Sequence, residues 1–416
     1  MSCDIQRQNN IITISGDFRD YRFLLSQMYH CINDAGYPDI VLDMSECTSA
    51  FQSAMLAICV KILDYKRVGV DFELIPPKDA VFNNLFRNTN WGYYIDPDKF
   101  AYSSFRGHTR VPATLYDTPE GQQSAVNKIV DVVLGAIPDM DRSNFAAFEW
   151  AVNEITDNVL VHSNSSVGGL IQVSTFHRVN KSIQFVVADS GIGISTSLKQ
   201  GHPNIKSDTE ALYESIKEGV TRDKRVGQGN GLFGTYSVCC KSNGEFQIES
   251  GNATLIYNRK SQLNISNRTV PFCGTLISAT VDFSDPELLQ DALQFEGKVF
   301  RPIDYIETKY ESEFIIFSLK DECVSFGSRI SGKPLRIKLV NLIKMSPESI
   351  INIDFNDVSV VSSSFADEAF GKLFFQIGEQ VFNKRVRFVN INKTIDGLVS
   401  KAILQRINVG VSDAEL

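Results

Sequence analysis

The chain has 416 residues, of which 43% are hydrophobic, and its formal net charge is -8. This acidic balance argues against binding nucleic acid through bulk positive charge. No apolar run approaches the roughly 18 residues that a membrane-spanning helix needs. The polar start MSCDIQRQNN lacks a signal-peptide pattern, and none of the eight cysteines forms a C-x-x-C pair. We therefore expect a cytoplasmic protein that contacts neither membrane nor nucleic acid directly.

Strands and helices alternate in the first hundred residues. The pattern predicts strands at 11–18, 39–44 and 71–75, and helices at 21–32, 53–65 and 80–86. This order indicates a small α/β domain, which we place at residues 1–105.

The end of the chain, residues 300–416, repeats this order and predicts a second small α/β domain. An offset of 311 residues places Asp43 on Asp354 and Ser53 on Ser364. Each serine stands where a helix is predicted to begin after the loop that follows a strand. The match indicates a structural echo between the two ends, although short strand-helix patterns also recur by chance.

The stretch NEITDNVLVHS closes a predicted helix that Asp141 or Ser143 would cap. Its apolar positions are spaced three and four residues apart, which is typical of a helix with one face in a core. Glu154 and Asn158 lie one turn apart beside that apolar face. Taken alone, such an acid is more often a solvated surface residue than part of a site.

Two glycine-rich stretches follow this helix. SIQFVVADSGIGI ends an apolar strand at Asp189, and GQGNGLFG precedes a helix predicted to begin near Leu232. Glycine lets backbone N–H groups approach anionic oxygens, and a helix N-terminus favours phosphate. The second stretch lacks the Gly-Lys-Ser/Thr of a P-loop, and no strand directly precedes it as in a dinucleotide-binding fold.

Taken in order, the three motifs E-x-x-x-N, D-x-G-x-G and G-x-G-x-G resemble the GHKL ATP-binding family. Histidine kinases, gyrase B, MutL, some heat-shock chaperones and the anti-sigma-factor serine kinases share this fold. The resemblance covers residues of about 110 to 283, and we assign the domain to 106–285. It implies an α/β (α+β) fold with a central sandwich, in which a mixed sheet is covered by helices.

The resemblance also implies roles for individual residues. Asn158 would hold Mg²⁺, which prefers oxygen ligands. Glu154 would act as general base on a water or an acceptor hydroxyl. Asp189 would accept the adenine amino group, with Thr275 beside it. Four residues would wrap the phosphates: Gly227, Gly229, Asn230 and Gly231.

Two further features belong to the same resemblance. Gly191 and Gly193 would let the chain pass close to the base. The polar stretch between Ile194 and Gly227 would form a lid over ATP. Lys224 and Arg225 of that lid could reach phosphate, or could be solvated charges.

The two flanking segments are similar to STAS domains. DIVLDMSECTSAFQSAMLAICVKIL resembles the anti-sigma-factor antagonists, and the C-terminal segment resembles a STAS-like domain of unknown function found beside such ATPases. The family's phosphorylatable serine would be Ser53, with Ser364 as its counterpart. This sequence has Phe51-Gln52-Ser53-Ala54 where the family shows Asp-Ser-Ser-Gly. Both serines could instead be helix N-caps.

The motifs as a whole predict an ATP- and Mg²⁺-binding regulator whose nucleotide state controls the STAS-like arms and a protein partner. The chemistry could be phosphorylation of a serine on the same chain or on a partner. It could equally be a conformational switch that hydrolyses ATP slowly and forms no phosphoprotein. In that case the cleft would close around ATP and the protein would form a homodimer. A nucleotide-binding scaffold is the third alternative.

Overall fold

A computed structural model of the protein describes residues 3–103, 110–175, 181–223, 229–289, 292–302, 304–310, 312–323 and 325–414. In this described part, helices and strands form a mixed α/β structure with three principal sheets. The predicted fold class is therefore confirmed. No helix in those ranges is long and apolar enough to cross a bilayer.

The N-terminal sheet has the order β1-β2-β3-β5, and β4 pairs with β2. Its strands are β1 Asp4–Gln8, β2 Ile11–Phe18, β3 Asp39–Asp43, β4 Cys47–Ala50 and β5 Asp71–Ile75. The helices of this region are α1 Tyr21–Tyr29, α2 Gln52–Arg67, α3 Ala80–Asn88 and α4 Trp91–Ile95.

Helix α2 is buried on every side along its first half. All residues from Ala54 to Val60 are buried, with no polar face. One side packs with the N-terminal sheet, and the other packs on β7 and β8 of the central sheet defined below. A helix that is apolar all round needs such cover on both sides.

The central sheet has the order β6-β7-β8-β10-β9. Its strands are β6 Arg110–Tyr116, β7 Gly169–Thr175, β8 Ser182–Asp189, β9 Glu245–Asn258 and β10 Gln262–Asp282. Its helices are α5 Pro119–Ala136, α6 Arg142–His162, α7 Gly193–Gly201, α8 Asp208–Ser215 and α9 Gly231–Lys241. Helices α5, α6 and α9 pack on the face opposite to α2.

The strand directions correct one detail of the prediction. We expected a mixed central sheet, but each pair in it is antiparallel. The helices α5 and α6 explain this between β6 and β7. Two successive helices carry the chain across the sheet and back, so the next strand runs opposite to the last, whereas a single crossover helix would give a parallel pair.

A short connection leads to the C-terminal sheet, which is parallel in the order β13-β14-β15. The connection contains β11 Gln294–Phe295, β12 Lys298–Val299 and α10 Tyr305–Tyr310. The sheet strands are β13 Phe314–Ser318, β14 Ile350–Asp354 and β15 Val386–Val389. Its helices are α11 Leu319–Glu322, α12 Arg329–Met345, α13 Ser363–Ala366, α14 Lys372–Ile377, α15 Glu379–Arg385 and α16 Lys393–Ala414.

The stretch ADEAFGKLFFQIGEQVF predicts one long helix over residues 366–382, but the structure interrupts it. A π-turn spans Asp367–Gly371, and the helix ends at Ile377 because Gly378 takes a positive φ of 81°. The three sheets fall within the three predicted domain ranges. The boundaries themselves stay predictions, because apolar cores run across both junctions.

Helix α12 joins the C-terminal region to the end of α5 through a buried amide. Asn341 has no exposed surface, and its Nδ2 donates to the carbonyls of Leu134 and Ile137 at 2.8 Å each. Its Oδ1 accepts from the Met140 N–H at 3.2 Å. These groups are the free backbone ends of α5 and its following turn, so one side chain caps the helix and docks the C-terminal region.

Replacing Asn341 with leucine is therefore expected to destabilise this junction. The substitution keeps the volume but leaves buried backbone groups unpaired, which costs roughly 2–4 kcal/mol of unfolding free energy. Chemical denaturation would measure the loss. Lys344→Ala is the matched control, because it removes an exposed ion pair with Asp139 across the same junction and should change stability little. Equal losses in both variants would contradict this account of the docking.

Candidate functional site

A cavity of about 620 Å³ opens between α6, α9 and the ends of the central strands. It brings together predicted residues from all three motifs. The predicted residues that line it are Glu154, Asn158, Asp189, Gly193, Gly229, Asn230, Gly231 and Thr275. Gly191 does not line it, and Gly227, Lys224 and Arg225 lie outside the described residues.

Asp189 forms one end of the cavity at the last residue of β8. It lies opposite Thr275 of β10 and is only 2% exposed. Burial raises the pKa of its carboxyl to about 6, and hydrogen bonds from Gly191 and Thr275 oppose that rise. A buried carboxylate with a neighbouring hydroxyl can accept an N–H from a flat heterocycle that enters the cavity.

Glu154 and Asn158 form the opposite side from one face of α6. Burial raises the pKa of Glu154 to about 6, with a smaller contribution from the charge of Asp157. Gly231 begins α9 directly against this pair. A Cβ at Gly231 would lie 2.5 Å from the Glu154 Oε2 and 3.4 Å from the Asn158 Nδ2. Glycine at this position therefore leaves the carboxylate and the amide room to face the cavity.

Two other glycines hold the loops in place. Gly229 has a φ of +77°, and its Cβ would lie within 2.7 Å of the Gly219 and Val220 backbone. The Asn230 Oδ1 accepts the Gly219 N–H at 3.2 Å. Gly191 packs against the end of α6, where its Cβ would be 1.9 Å from the Ser163 carbonyl oxygen. Glycine at this position therefore permits close packing of the loop on the end of α6.

A metal ion could find ligands beside this pair. In the described ranges no group of three or more His, Cys, Asp or Glu side chains is arranged around a metal position. Mg²⁺ does not need one, since it commonly takes one or two protein oxygens and completes its shell with phosphate oxygens and water. Asn158 with the neighbouring Glu154 fits that pattern.

The cavity also contains residues that the sequence reasoning missed. Trp150 lies four residues before Glu154, so the helical spacing already placed it on the same face. Phe295, Lys298 and Phe300 come from the β11–β12 hairpin and line the cavity as well. The Phe295 ring lies 5.6 Å from that of Trp150. Two-residue strands leave no readable periodicity, so nothing in the sequence pointed to this hairpin.

Helix α6 also holds the connection to the C-terminal region. Glu149, which is 7% exposed, accepts the Tyr305 N–H at 2.8 Å. The Arg142 guanidinium pairs with Asp304 at 3.0 Å. Burial raises the pKa of Glu149 to about 7. The helix that carries Glu154 and Asn158 thus also anchors α10.

The two candidate phosphoacceptors occupy equivalent positions. Ser53 and Ser364 are each the second residue of their helix, behind the caps Phe51 and Ser362. The alternative that the two serines are N-caps is therefore wrong. Each helix begins earlier than the sequence pattern indicated, and its N-cap lies two residues before the serine. Ser53 is half-buried and Ser364 is exposed. Ser53 lies in the first turn of α2, on the sheet face opposite to α6.

Comparisons with known proteins assign one part of the chain. Residues 331–396 match the family model described as STAS-like domain of unknown function (DUF4325). A comparison with curated proteins gave no match. Among solved structures, the chain is similar to the histidine kinase domain from Erythrobacter litoralis EL346 blue-light activated histidine kinase. The identity is 14%, and the match covers 58% of this chain and 90% of that chain.

The TM-score of that structural match is 0.20, which is too low to support an argument about the fold. The family match covers a minor part of the chain and carries no assigned function. Within the predicted C-terminal domain, residues 331–396 are a STAS-like domain, which confirms that part of the prediction. The resemblance of the N-terminal region to STAS domains stays a prediction.

The buried carboxylate of Glu149 predicts a pH dependence of stability. Its folded pKa of about 7 lies above the usual glutamate value of 4.5, so the folded state binds this proton more tightly. The stabilisation is complete below about pH 4.5 and is lost as the pH rises to about 7, roughly 3 kcal/mol at most. Glu149→Gln keeps an acceptor for Tyr305 and should flatten this slope in denaturation curves between pH 5 and 8. An unchanged slope would show that Glu149 does not carry it.

Proposed function

We propose that this protein binds ATP with Mg²⁺ in the cavity and acts as a nucleotide-dependent regulatory switch. The observation that supports this most is the convergence of three distant motifs on one cavity. Asp189 and Thr275 come from the sheet, Glu154 and Asn158 from α6, and Gly229 to Gly231 from the start of α9. Its size lies within the range of roughly 300–1,000 Å³ that is usual for small-molecule sites.

The proposed division of labour follows the chemistry of each group. Asp189 would take the adenine amino N–H. The N-terminus of α9 and its glycines would hold phosphate oxygens through backbone N–H groups. Asn158 would hold Mg²⁺, which supplies positive charge against the phosphates when bound. Glu154, with a pKa near 6, would be ionised at neutral pH and able to accept a proton from an attacking water.

Transfer to a serine on the same chain is less well supported than hydrolysis. The central sheet separates Ser53 from Glu154, because α2 and α6 cover opposite faces. A serine behind the sheet cannot reach the general base without undocking the N-terminal region. The exposure of Ser364 favours a second candidate function, a serine kinase that acts on Ser364 of another copy.

We expect purified protein to bind ATP in a Mg²⁺-dependent manner and to release labelled phosphate from γ-labelled ATP. Asn158→Ala should weaken Mg²⁺-dependent ATP binding by about tenfold or more, because it removes the side-chain oxygen that would bind the cation. Glu154→Gln should retain binding and lose turnover by roughly 10²–10⁴-fold, as expected for a general base. Calorimetry and phosphate release would measure the two effects.

The fate of the label separates the alternatives. Label retained on the wild type, and lost in Ser364→Ala but kept in Ser53→Ala, would establish the kinase instead of the switch. Binding without turnover would leave a nucleotide-dependent scaffold. No nucleotide binding under any condition would refute the proposed function.

A further inference from the structure

We infer that Tyr21 and Arg22 of the N-terminal region are positioning residues for the adenine end of the cavity, and that they act through Glu249 and Ser250. The inference rests on the proposed function and adds a specificity determinant that lies outside the three motifs. It assigns to the N-terminal region a part in selecting the base of the nucleotide.

The contact is a buried ion pair behind the sheet. The Arg22 Nε and Nη2 each lie 2.7 Å from the Glu249 Oε2, and the Tyr21 hydroxyl donates to the same oxygen. Arg22 is 8% exposed and Glu249 is 6% exposed. Taking such a pair out of water costs about as much as the pairing returns, so net stability does not account for it. We infer that the pair instead fixes the position of α1 relative to β9.

The same guanidinium also holds backbone of the neighbouring strands. The Arg22 Nη1 donates to the carbonyls of Val270 and Gly251. The β9–β10 register shifts on both sides of Phe272, which pairs with Gly251, and Val270 lies within the first of the two shifts. The Tyr21 ring packs edge-on against Phe272 with centroids 5.8 Å apart. Helix α1 therefore braces an irregular segment that the ladder bonds alone do not fix.

That irregular segment leads directly into the adenine end. Gly274 has a φ of +118°, and its Cβ would lie 2.0 Å from the Asp189 carbonyl oxygen. The next residue, Thr275, pairs with Asp189 on one side and with Ser250 on the other. The Ser250 Oγ donates to the Gly274 carbonyl at 2.8 Å and accepts the Ile194 N–H at 2.9 Å.

Alternation along β9 connects the two sides of the sheet. Glu249 faces the N-terminal region. Ser250, the next residue, does not line the cavity, but on the other side of the sheet it bonds Ile194 and Gly274. A shift of Glu249 therefore moves Ser250, and with it the hydrogen bonds that place Thr275 beside Asp189. Among the described residues, none of α6 or α9, on which the phosphate side depends, takes part in these contacts. Loss of the pair should thus weaken recognition of adenine and leave phosphate binding nearly intact.

The test compares ATP with inosine triphosphate, which lacks the amino group that Asp189 would accept. The full chain carries Arg22→Met, Glu249→Gln or the milder Tyr21→Phe, and calorimetry measures both affinities. We expect Arg22→Met and Glu249→Gln to weaken ATP by about tenfold, the size of one charged hydrogen bond. Inosine triphosphate should change less than threefold, and Tyr21→Phe should shift the ratio of the two affinities in the same direction.

Trp91→Phe is the matched control within the same interface. The Trp91 Nε1 donates to the Gln172 Oε1 at 2.8 Å, a buried bond to β7 that lies away from the irregular β9–β10 segment. This variant should lower the melting temperature without changing the ratio of the two affinities. Ratios that stay at the wild-type value in all the Tyr21, Arg22 and Glu249 variants would overturn the inference while leaving the proposed function intact.

A second readout follows from linkage. If the Arg22–Glu249 pair couples the N-terminal region to the cavity, ATP must increase the hydrogen-exchange protection of α1. The increase must equal the factor by which docking of α1 improves ATP affinity, because coupling between two sites is reciprocal. The Glu249→Gln variant should show no such increase on adding ATP, even if the variant protein is less stable overall. Protection of α1 that does not respond to ATP in the wild type would overturn the coupling. Wild-type protein that binds neither nucleotide would instead refute the proposed function itself.

Discussion

The central sheet has two apolar faces, and the need to cover both shapes the rest of the molecule. Helices α5, α6 and α9 cover one face, and α2 of the N-terminal region covers the other. Burial contributes roughly 25 cal/mol per Å² of apolar surface, so neither cover can leave without a large loss of stability. The N-terminal region is thus part of the structural core of the central sheet.

Polar groups at each junction add specificity to this apolar cover. Arg22 and Glu249 fix α1, while Glu149 receives the backbone of Tyr305 and Asn341 caps the end of α5. Each of these groups is buried and would be costly to leave unpaired. Apolar contacts alone would tolerate sliding of one layer over another, whereas these bonds allow only one register. The cavity therefore forms between parts whose relative positions are set on both sides.

The sequence was informative where a signal is local. Strands 11–18 and 71–75 and the Asp141 cap agree with the structure, because periodicity and capping depend on neighbouring residues. The grouping of Glu154, Asn158 and Asp189 needed the resemblance, since their proximity depends on the topology. Three features depend on contacts between distant residues, and no local pattern encodes them. They are the irregular β9–β10 segment, the packing of α2 on the central sheet and the β11–β12 hairpin.

Helix α6 connects the cavity to the C-terminal region, so under the proposed function it would carry the effect of a nucleotide to the STAS-like domain. Glu154 and Asn158 face the cavity near its end, and Glu149 and Arg142 hold the connection to α10 on the same rigid helix. The β11–β12 hairpin gives a second link, because Phe295 packs on Trp150 while Lys298 lines the cavity. A ligand shifts such a system only by binding one arrangement more tightly than another. Both links end near Glu154 and Asn158. If the proposed function holds, the arrangement of the C-terminal domain would respond to the phosphates, and the N-terminal region would respond to the base.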